Sequence, residues 1–183
     1  TMTISEATIG LPVNIGGILE EVDSSTTADN VFVFESGGKK WRMVFDGGIT
    51  IYRTSWLNIG DPPTDLSSRI ATALANSNIK TLEIDTTVNI GTATVDFDGK
   101  AINFLNGGRI QSTSGSISNA IISADYNQVI IDDNTTLSNC KSSTGKFSVR
   151  WFGVLSDGND TTNMLNKASS SVGSSTQMEW MFP

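Results

Sequence analysis

Very short apolar stretches, separated by turn-forming residues, occupy the chain from residue 81 to residue 131. Gly91, Asp98 and Gly107 are among the residues that separate them. Strands of three or four residues do not form a stable meandering sheet alone, but they suit the coils of a parallel β-helix, where each coil stacks on the previous one. The interval from Ile84 to Phe104 (104 − 84 = 20) is close to one such coil. The pattern predicts a small parallel β-helix; a sandwich or jelly roll, with strands of about five or six residues, is the alternative.

One pattern occurs twice in the chain, at a constant offset of 95. Trp56 precedes Asp65 by nine positions, and Trp151 precedes Asp160 by nine (151 − 56 = 95; 160 − 65 = 95). Apolar residues at helical spacing follow Asp65, and an aspartate before a helix accepts hydrogen bonds from free backbone amides. We therefore predict that Asp65 and Asp160 are helix N-caps rather than catalytic or metal-binding residues. Internal repetition of this kind is typical of folds that grow by stacking.

The first part of the chain divides into an irregular segment and a predicted β meander. Residues 1–28 contain isoleucine and leucine without a clear period, so the segment is either disordered or ordered against a partner. Alternating or continuous apolar residues then predict strands at 31–34, 41–45 and 49–52, joined by glycine-containing turns.

The absence of histidine from the chain excludes whole classes of chemistry. Ser-His-Asp and Cys-His catalysis and imidazole zinc sites all require that side chain. The net charge of −7 repels phosphate backbones and anionic membranes, so we expect neither a nucleic-acid nor a membrane partner. No signal-peptide pattern is present in the sequence, which favours a protein made in the cytoplasm.

The carboxylates of the chain do not form a convincing catalytic or metal-binding pattern. Asp96 and Asp98 share one predicted strand face, and Asp132 lies in a turn beside Asp133; we interpret both pairs as solvated acids. The segment 157–160 lacks the spaced ligands and terminal glutamate of a calcium loop. We expect no catalytic residue, no metal and no cofactor. The tryptophans at 56, 151 and 180 are interpreted as core or subunit-interface residues, with sugar stacking as the alternative.

Two segments resemble the opening motif of the pectate-lyase-like right-handed β-helix. They are residues 40–47 followed by Trp56 and, more clearly, residues 149–154 followed by residues 157–162. In that family a tryptophan-phenylalanine-glycine strand leads to an aspartate-glycine turn and then to a helix that caps the first coil. Together with the preceding β-rich segment, the motif is most similar to that of bacteriophage tailspikes and related tail fibres.

The resemblance implies roles for particular residues. The residues that open and pack the fold are Trp56, Trp151, Phe152, Gly153, Asp157 and Gly158. The candidate aromatics of the core or of a trimer interface are Trp41, Phe45 and Trp180.

The resemblance also implies an organisation into four segments within a mainly β chain. Residues 1–28 are the irregular anchoring segment and residues 29–55 the meander. Residues 56–147 are a capping helix with a small β-helix-like neck, and residues 148–183 begin a second, truncated β-helix with its own capping helix.

The function that the resemblance implies is the anchor and neck of a homotrimeric tailspike or tail fibre. The N-terminal region would bind phage tail or adaptor proteins, and a later part would bind or degrade a host surface glycan. The protein would be made in the bacterial cytoplasm and reside in the virion tail, and this part would not be an enzyme. The alternatives are a piece of a polysaccharide lyase or glycoside hydrolase unrelated to a virion, and a stand-alone carbohydrate-binding β-domain.

Overall fold

The short apolar stretches become the strands of a stack of coils in the computed structural model, which describes residues 3–4, 18–44, 51–58, 63–153, 162–171 and 177–179. The N-terminal strands are β1 (Thr3–Ile4), β2 (Ile18–Val22), β3 (Val33–Ser36) and β4 (Lys39–Val44). The following strands are β5 (Ile51–Arg53), β6 (Thr81–Ile84), β7 (Thr87–Asn89), β8 (Thr94–Asp96), β9 (Ala101–Phe104), β10 (Arg109–Gln111), β11 (Ser116–Ser118), β12 (Ile121–Ser123), β13 (Thr136–Ser138), β14 (Lys141–Ser142), β15 (Lys146–Ser148) and β16 (Gln177–Glu179). Two α-helices, α1 (Ser67–Ala75) and α2 (Thr162–Ser171), and two 3₁₀ helices, Thr54–Asn58 and Val149–Phe152, complete the described elements.

Parallel strands stacked at a regular interval form the main body of the protein. The first wall has the order β14-β12-β9-β6-β5, and within it Thr81 pairs with Ala101 and Ala101 with Ile121. Each step along this wall from β6 is therefore one coil, and its length equals the interval predicted from Ile84 and Phe104. The prediction of a mainly β fold with a small parallel β-helix is confirmed.

Two further walls close each coil. The second wall contains β7 and β10, and Ile131 continues it by bridging to Ile110. The third wall contains β8, β11 and β13, with Val95, Ile117 and Leu137 in register. About three coils result, at residues 81–100, 101–120 and 121–140.

The central residue of each strand points into the stack because side chains alternate between the two faces of a strand. In the first wall Leu82, Ile102 and Ile122 are fully buried and lie one above the other. The equivalent buried side chains of the other walls are Val88, Ile110, Ile131, Val95, Ile117 and Leu137. Each coil thus buries its apolar residues against the coils before and after it.

A longer opening coil precedes the regular coils, since Ile51 of β5 pairs with Thr81 of β6 (81 − 51 = 30). It consists of β5, the first 3₁₀ helix and α1, which contacts β8 at the start of the third wall. The backbone amide of Leu66 donates to the carbonyl of Asn89 at 2.8 Å, and Arg69 Nη1 donates to the carbonyl of Leu57 at 2.5 Å. The helix therefore takes the place of a strand in this coil.

The same order of elements recurs at the other end of the stack. Strand β15, the second 3₁₀ helix, α2 and β16 follow one another, and Lys146 of β15 pairs in parallel with Gln177 of β16. The offset of 95 relates the starts of both strands and both helices (146 − 51 = 95; 162 − 67 = 95). Helix α2 contacts β13, so the two copies of the repeat lie at opposite ends of the same third wall.

The N-terminal strands form a separate antiparallel sheet of order β1-β2-β4-β3, which differs from the predicted meander. The prediction of irregular structure was wrong for Thr3–Ile4, which forms β1 and pairs with β2. It was also wrong for Ile18–Val22, which forms β2 and pairs with β4 because Leu19 can be buried opposite Met43. The assignment of residues 49–52 to the meander was also wrong for the described part of that segment. Ile51–Arg53 forms β5, whose Tyr52 stacks on Leu82 inside the solenoid.

Tyr52 joins this sheet to the opening coil. Its hydroxyl donates to the carbonyl of Val31 at 2.8 Å, and its ring meets those of Phe32 and Trp56 edge-on at 5.7 and 5.0 Å. Burial raises the pKa of the Tyr52 phenol far above its ordinary value, so the hydroxyl keeps its proton and remains a donor. One hydrophobic core therefore runs from the sheet into the coils.

Neighbouring isoleucines in β12 test the direction of the side chains in the first wall. We expect Ile122→Ala to lower the free energy of unfolding by about 2–5 kcal/mol, because it opens a cavity in the stack. The matched variant Ile121→Ala, at a side chain that is 40% exposed, is expected to change it by less than about 1 kcal/mol. Urea denaturation at a protein concentration at which the chain is monomeric measures both; equal losses would contradict this register.

Candidate functional site

A groove lies at the corner where the chain turns from the third wall into the first, beside α1. Its volume is about 960 Å³. Its lining includes apolar side chains of α1 and of the first wall, together with four charged residues: Lys80, Lys100, Asp96 and Asp98. We call it the corner groove. It contains the pair of carboxylates that the sequence places on one strand face.

Lys100 is a charged residue of the groove whose side chain binds the end of α1. Its ammonium donates to the carbonyl of Leu74 and, at 2.9 Å, to the carbonyl of Asn76, at the C-terminal end of α1. Helix C-termini leave carbonyl groups unpaired and favour a cation, so Lys100 caps the helix. Burial and the nearby positive charge of Lys80 lower the pKa of Lys100.

A short ladder of polar side chains fixes the adjoining corners of successive coils. The amide of Asn119 donates to Asp96 Oδ1 at 2.9 Å, and the amide of Asn139 donates to Asn119 Oδ1 at 2.6 Å. Both asparagines have a positive φ, 55° and 51°, a conformation that asparagine tolerates better than most residues. The ladder therefore combines a tight corner with a bond from one coil to the next.

The electrostatics of Asp96 do not suit acid catalysis. The backbone amide of Asp98 and the side chain of Asn119 donate to its carboxylate and lower its pKa. A general acid needs a raised pKa to hold a proton near neutral pH. Both Asp96 and Asp98 are exposed, as expected, but β8 ends at Asp96 and Asp98 lies in the following turn rather than on the same strand face.

Other carboxylates of the solenoid also bind neighbouring coils. Asp85 accepts from Thr54 Oγ1 at 2.9 Å and from the amide and hydroxyl of Ser55 at 2.8 and 2.6 Å. Glu83 accepts from Arg53 Nε at 3.0 Å, and Asp132 Oδ2 accepts from the backbone amide of Ser112 at 3.0 Å. These acids hold the opening coil and a corner of the third coil in place.

The predicted cap Asp65 lies one residue before the N-cap position of α1. Leu66 occupies that position, buried and tied to the second wall through its amide. The Asp65 carboxylate instead accepts from the amide of Ser67, the first helical residue, at 2.8 Å. It thus satisfies one free amide of the helix although it is not the N-cap residue. Asp160 lies outside the described residues.

The two tryptophans of the repeat occupy equivalent buried positions in the 3₁₀ helices. Trp56 is 7% exposed and Trp151 2% exposed. Trp56 meets Tyr52 edge-on at 5.0 Å, and Trp151 meets Phe147 edge-on at 5.5 Å, a pair that shows the same offset (147 − 52 = 95). Trp151 Nε1 donates to the carbonyl of Asp125 at 2.8 Å. Neither ring offers a face for stacking on a sugar.

The remaining residues singled out in the sequence fall into two groups. Phe152 is buried, and Gly153 ends the second 3₁₀ helix with φ 84°, its amide donating to the carbonyl of Arg150 at 2.9 Å. Trp41 is buried in the N-terminal sheet and its Nε1 donates to the carbonyl of Ser36 at 3.3 Å. Phe45, Asp157, Gly158 and Trp180 lie outside the described residues.

Sequence reasoning missed the corner groove, the Lys100 cap and the bonds of Asp85. The asparagine ladder had a visible signal, because Asn119 and Asn139 each follow a short strand and lie one coil length apart. The sequence gives no comparable signal for the Lys100 cap, since its partners Leu74 and Asn76 lie 26 and 24 residues earlier in the chain.

Within the described ranges, no three Cys, Asp or Glu side chains gather in a way that suits a metal ion. No helix in the part of the chain that the structure describes is long and apolar enough to cross a membrane. No protein-family model, no curated protein and no solved structure matches the chain.

The hydrogen bonds that the Asp96 carboxylate accepts from the backbone amide of Asp98 and from the side chain of Asn119 predict a specific response to acid. Because the folded-state pKa of Asp96 lies below its ordinary value of 3.8, its stabilising contribution is present above that pH and is lost as the pH falls further. We expect Asp96→Asn to show a smaller decrease in melting temperature below pH 3.8 than the unmodified protein, measured by circular dichroism.

Asn119→Ala is the matched variant, since it removes one donor and leaves the carboxylate. It should flatten the acid response in the same direction but less than Asp96→Asn, because the bond from the Asp98 amide remains. Part of the acid response should remain in both variants. Asp23 contributes it, because the hydroxyl and amide of Ser25 lower the pKa of Asp23 as well. An acid response unchanged in both variants would contradict the role of the Asp96 hydrogen bonds.

Proposed function

We propose that this chain is a structural component of a trimeric phage tailspike or tail fibre, in which it forms the anchor and neck. The observation that carries the proposal is that the sequence repeat is also a repeat of structural elements. The same strand, 3₁₀ helix, α-helix and strand lie at both ends of one three-coil stack. Such a stack is a rigid spacer whose two ends are built alike.

The N-terminal sheet supports an anchoring role for the first part of the chain. It is joined to the opening coil through Tyr52, and among the described strands β3 lies at the edge of the sheet, the position at which another chain can add a strand. In the proposed assembly this region binds a tail or adaptor protein of the virion. Host glycan recognition or cleavage belongs to another part of the spike.

The use of the carboxylates supports a structural rather than an enzymatic role for this region. Asp85, Glu83 and Asp132 accept hydrogen bonds from neighbouring coils, and the pKa of Asp96 is lowered. A glycoside hydrolase instead needs two carboxyls about 5–9.5 Å apart, one of them with a raised pKa.

Light scattering coupled to size exclusion tests the assembly. The mass of one chain is 19.5 kDa, and we expect a species of three times that mass. A reducing-end assay on capsular and pectic glycans, with a glycan-degrading enzyme as positive control, is expected to give no signal from the same preparation. A monomer at every concentration would contradict the trimer, and turnover that is lost on heating would favour a polysaccharide-degrading enzyme.

A further inference from the structure

The corner groove carries opposite charges on its two banks. Lys80 lies where the chain leaves α1 for the first wall, and Asp98 lies in the turn that leaves the third wall. Within the part of the chain that the structure describes, neither the Lys80 ammonium nor the Asp98 carboxylate makes an ion pair. Both side chains are exposed and available to a partner.

The floor between these banks is apolar and includes an exposed large side chain. Ile121 is 40% exposed, and Ile51, 41% exposed, lies in the same outward column of the first wall. Thr81 and Ala101 stand between them in register, so the column is uncharged from Ile51 to Ile121, and Lys141 is its next residue in register. An apolar strip with charged residues at its rim is the usual composition of a protein interface.

The lining of the groove argues against other kinds of ligand. It contains no aromatic side chain on which a sugar ring would stack, within the residues described. The two aspartates offset the two lysines, so the groove has no excess of positive charge to attract phosphate groups. The two signs of charge and the apolar floor fit a protein surface of matching pattern.

A neighbouring copy of this chain provides such a surface at the right height. Lys80 immediately precedes the coil 81–100 and Asp98 lies near its end, and neighbouring coils are only about 4.8 Å apart. In a trimer of parallel solenoids, residues of the same coil lie at the same height. The Lys80 bank of one copy can therefore meet the Asp98 bank of the next, and three such head-to-tail contacts close a ring.

We infer that the corner groove is the contact between adjacent copies in the trimer, with Lys80 of one copy facing Asp98 of the next and Ile121 buried between them. This inference rests on the proposed trimer and adds the surface that forms it. Electrostatic complementarity then sets the register of the coils.

Charge reversal tests the inference. Lys80→Glu is expected to raise the dissociation constant of the trimer by at least about tenfold, measured by analytical ultracentrifugation over a dilution series. Asp98→Lys should do the same, and the double variant should recover much of the affinity because the two charges are exchanged. Lys39→Glu makes the same change of net charge on the N-terminal sheet and should leave the dissociation constant unchanged.

Circular dichroism and thermal melting establish that each variant folds, which matters for Asp98 because its φ is 48°. Asparagine tolerates this conformation. Because Asp98→Asn removes the negative charge without reversing it, this variant should weaken the trimer less than Asp98→Lys does. If the unmodified chain is a trimer and Lys80→Glu has the same dissociation constant, the groove is not the contact although the proposed function stands. If the unmodified chain is a monomer throughout, the trimer itself is wrong.

Discussion

The stacking of one apolar coil on the next is the interaction on which this structure depends. Leu82, Ile102 and Ile122 are buried only because another coil lies above and below each of them. A coil at the end of the stack lacks one neighbour, so its apolar face must be covered by something else. At one end the opening coil replaces a strand with α1, and Tyr52 extends the core into the N-terminal sheet. At the other end the second copy of the repeat packs with α2 against β13.

Polar side chains at the corners fix the register that this apolar stacking alone would leave loose. Hydrophobic burial is non-directional, whereas a hydrogen bond between coils requires a particular alignment. Asn119, Asn139 and Asp96 supply such bonds at one corner, and Asp85 supplies them between the opening coil and the first regular coil. Because the carboxylates of Asp96 and Asp85 already accept these hydrogen bonds, they are poorly suited to catalysis. This use of the acids supports the proposed structural role.

The sequence predicted the stack well because its strongest signals are local and periodic. The interval between Ile84 and Phe104 is the coil length, and the tryptophan offset of 95 also relates the first strand, the 3₁₀ helix and the α-helix of the two copies. Prediction from the sequence failed where the pairing of a strand depends on distant residues. Ile18–Val22 has too little period to indicate a strand without β4 beside it, and Ile51–Arg53 reads equally well as a meander strand or as the first strand of a stack. The corner groove was invisible for the same reason, since α1 and Asp98 meet only in the folded chain.

Native-state hydrogen exchange on Tyr52→Phe tests most directly the claim that one core joins the sheet to the coils. The variant removes only the hydroxyl that donates to the buried carbonyl of Val31, a loss of about 1–3 kcal/mol. If the sheet and the solenoid form one cooperative unit, the protection of amides in β4 and in β6 decreases together and by the same free energy. A decrease confined to β4, with β6 as protected as before, would show two independent units and contradict the account.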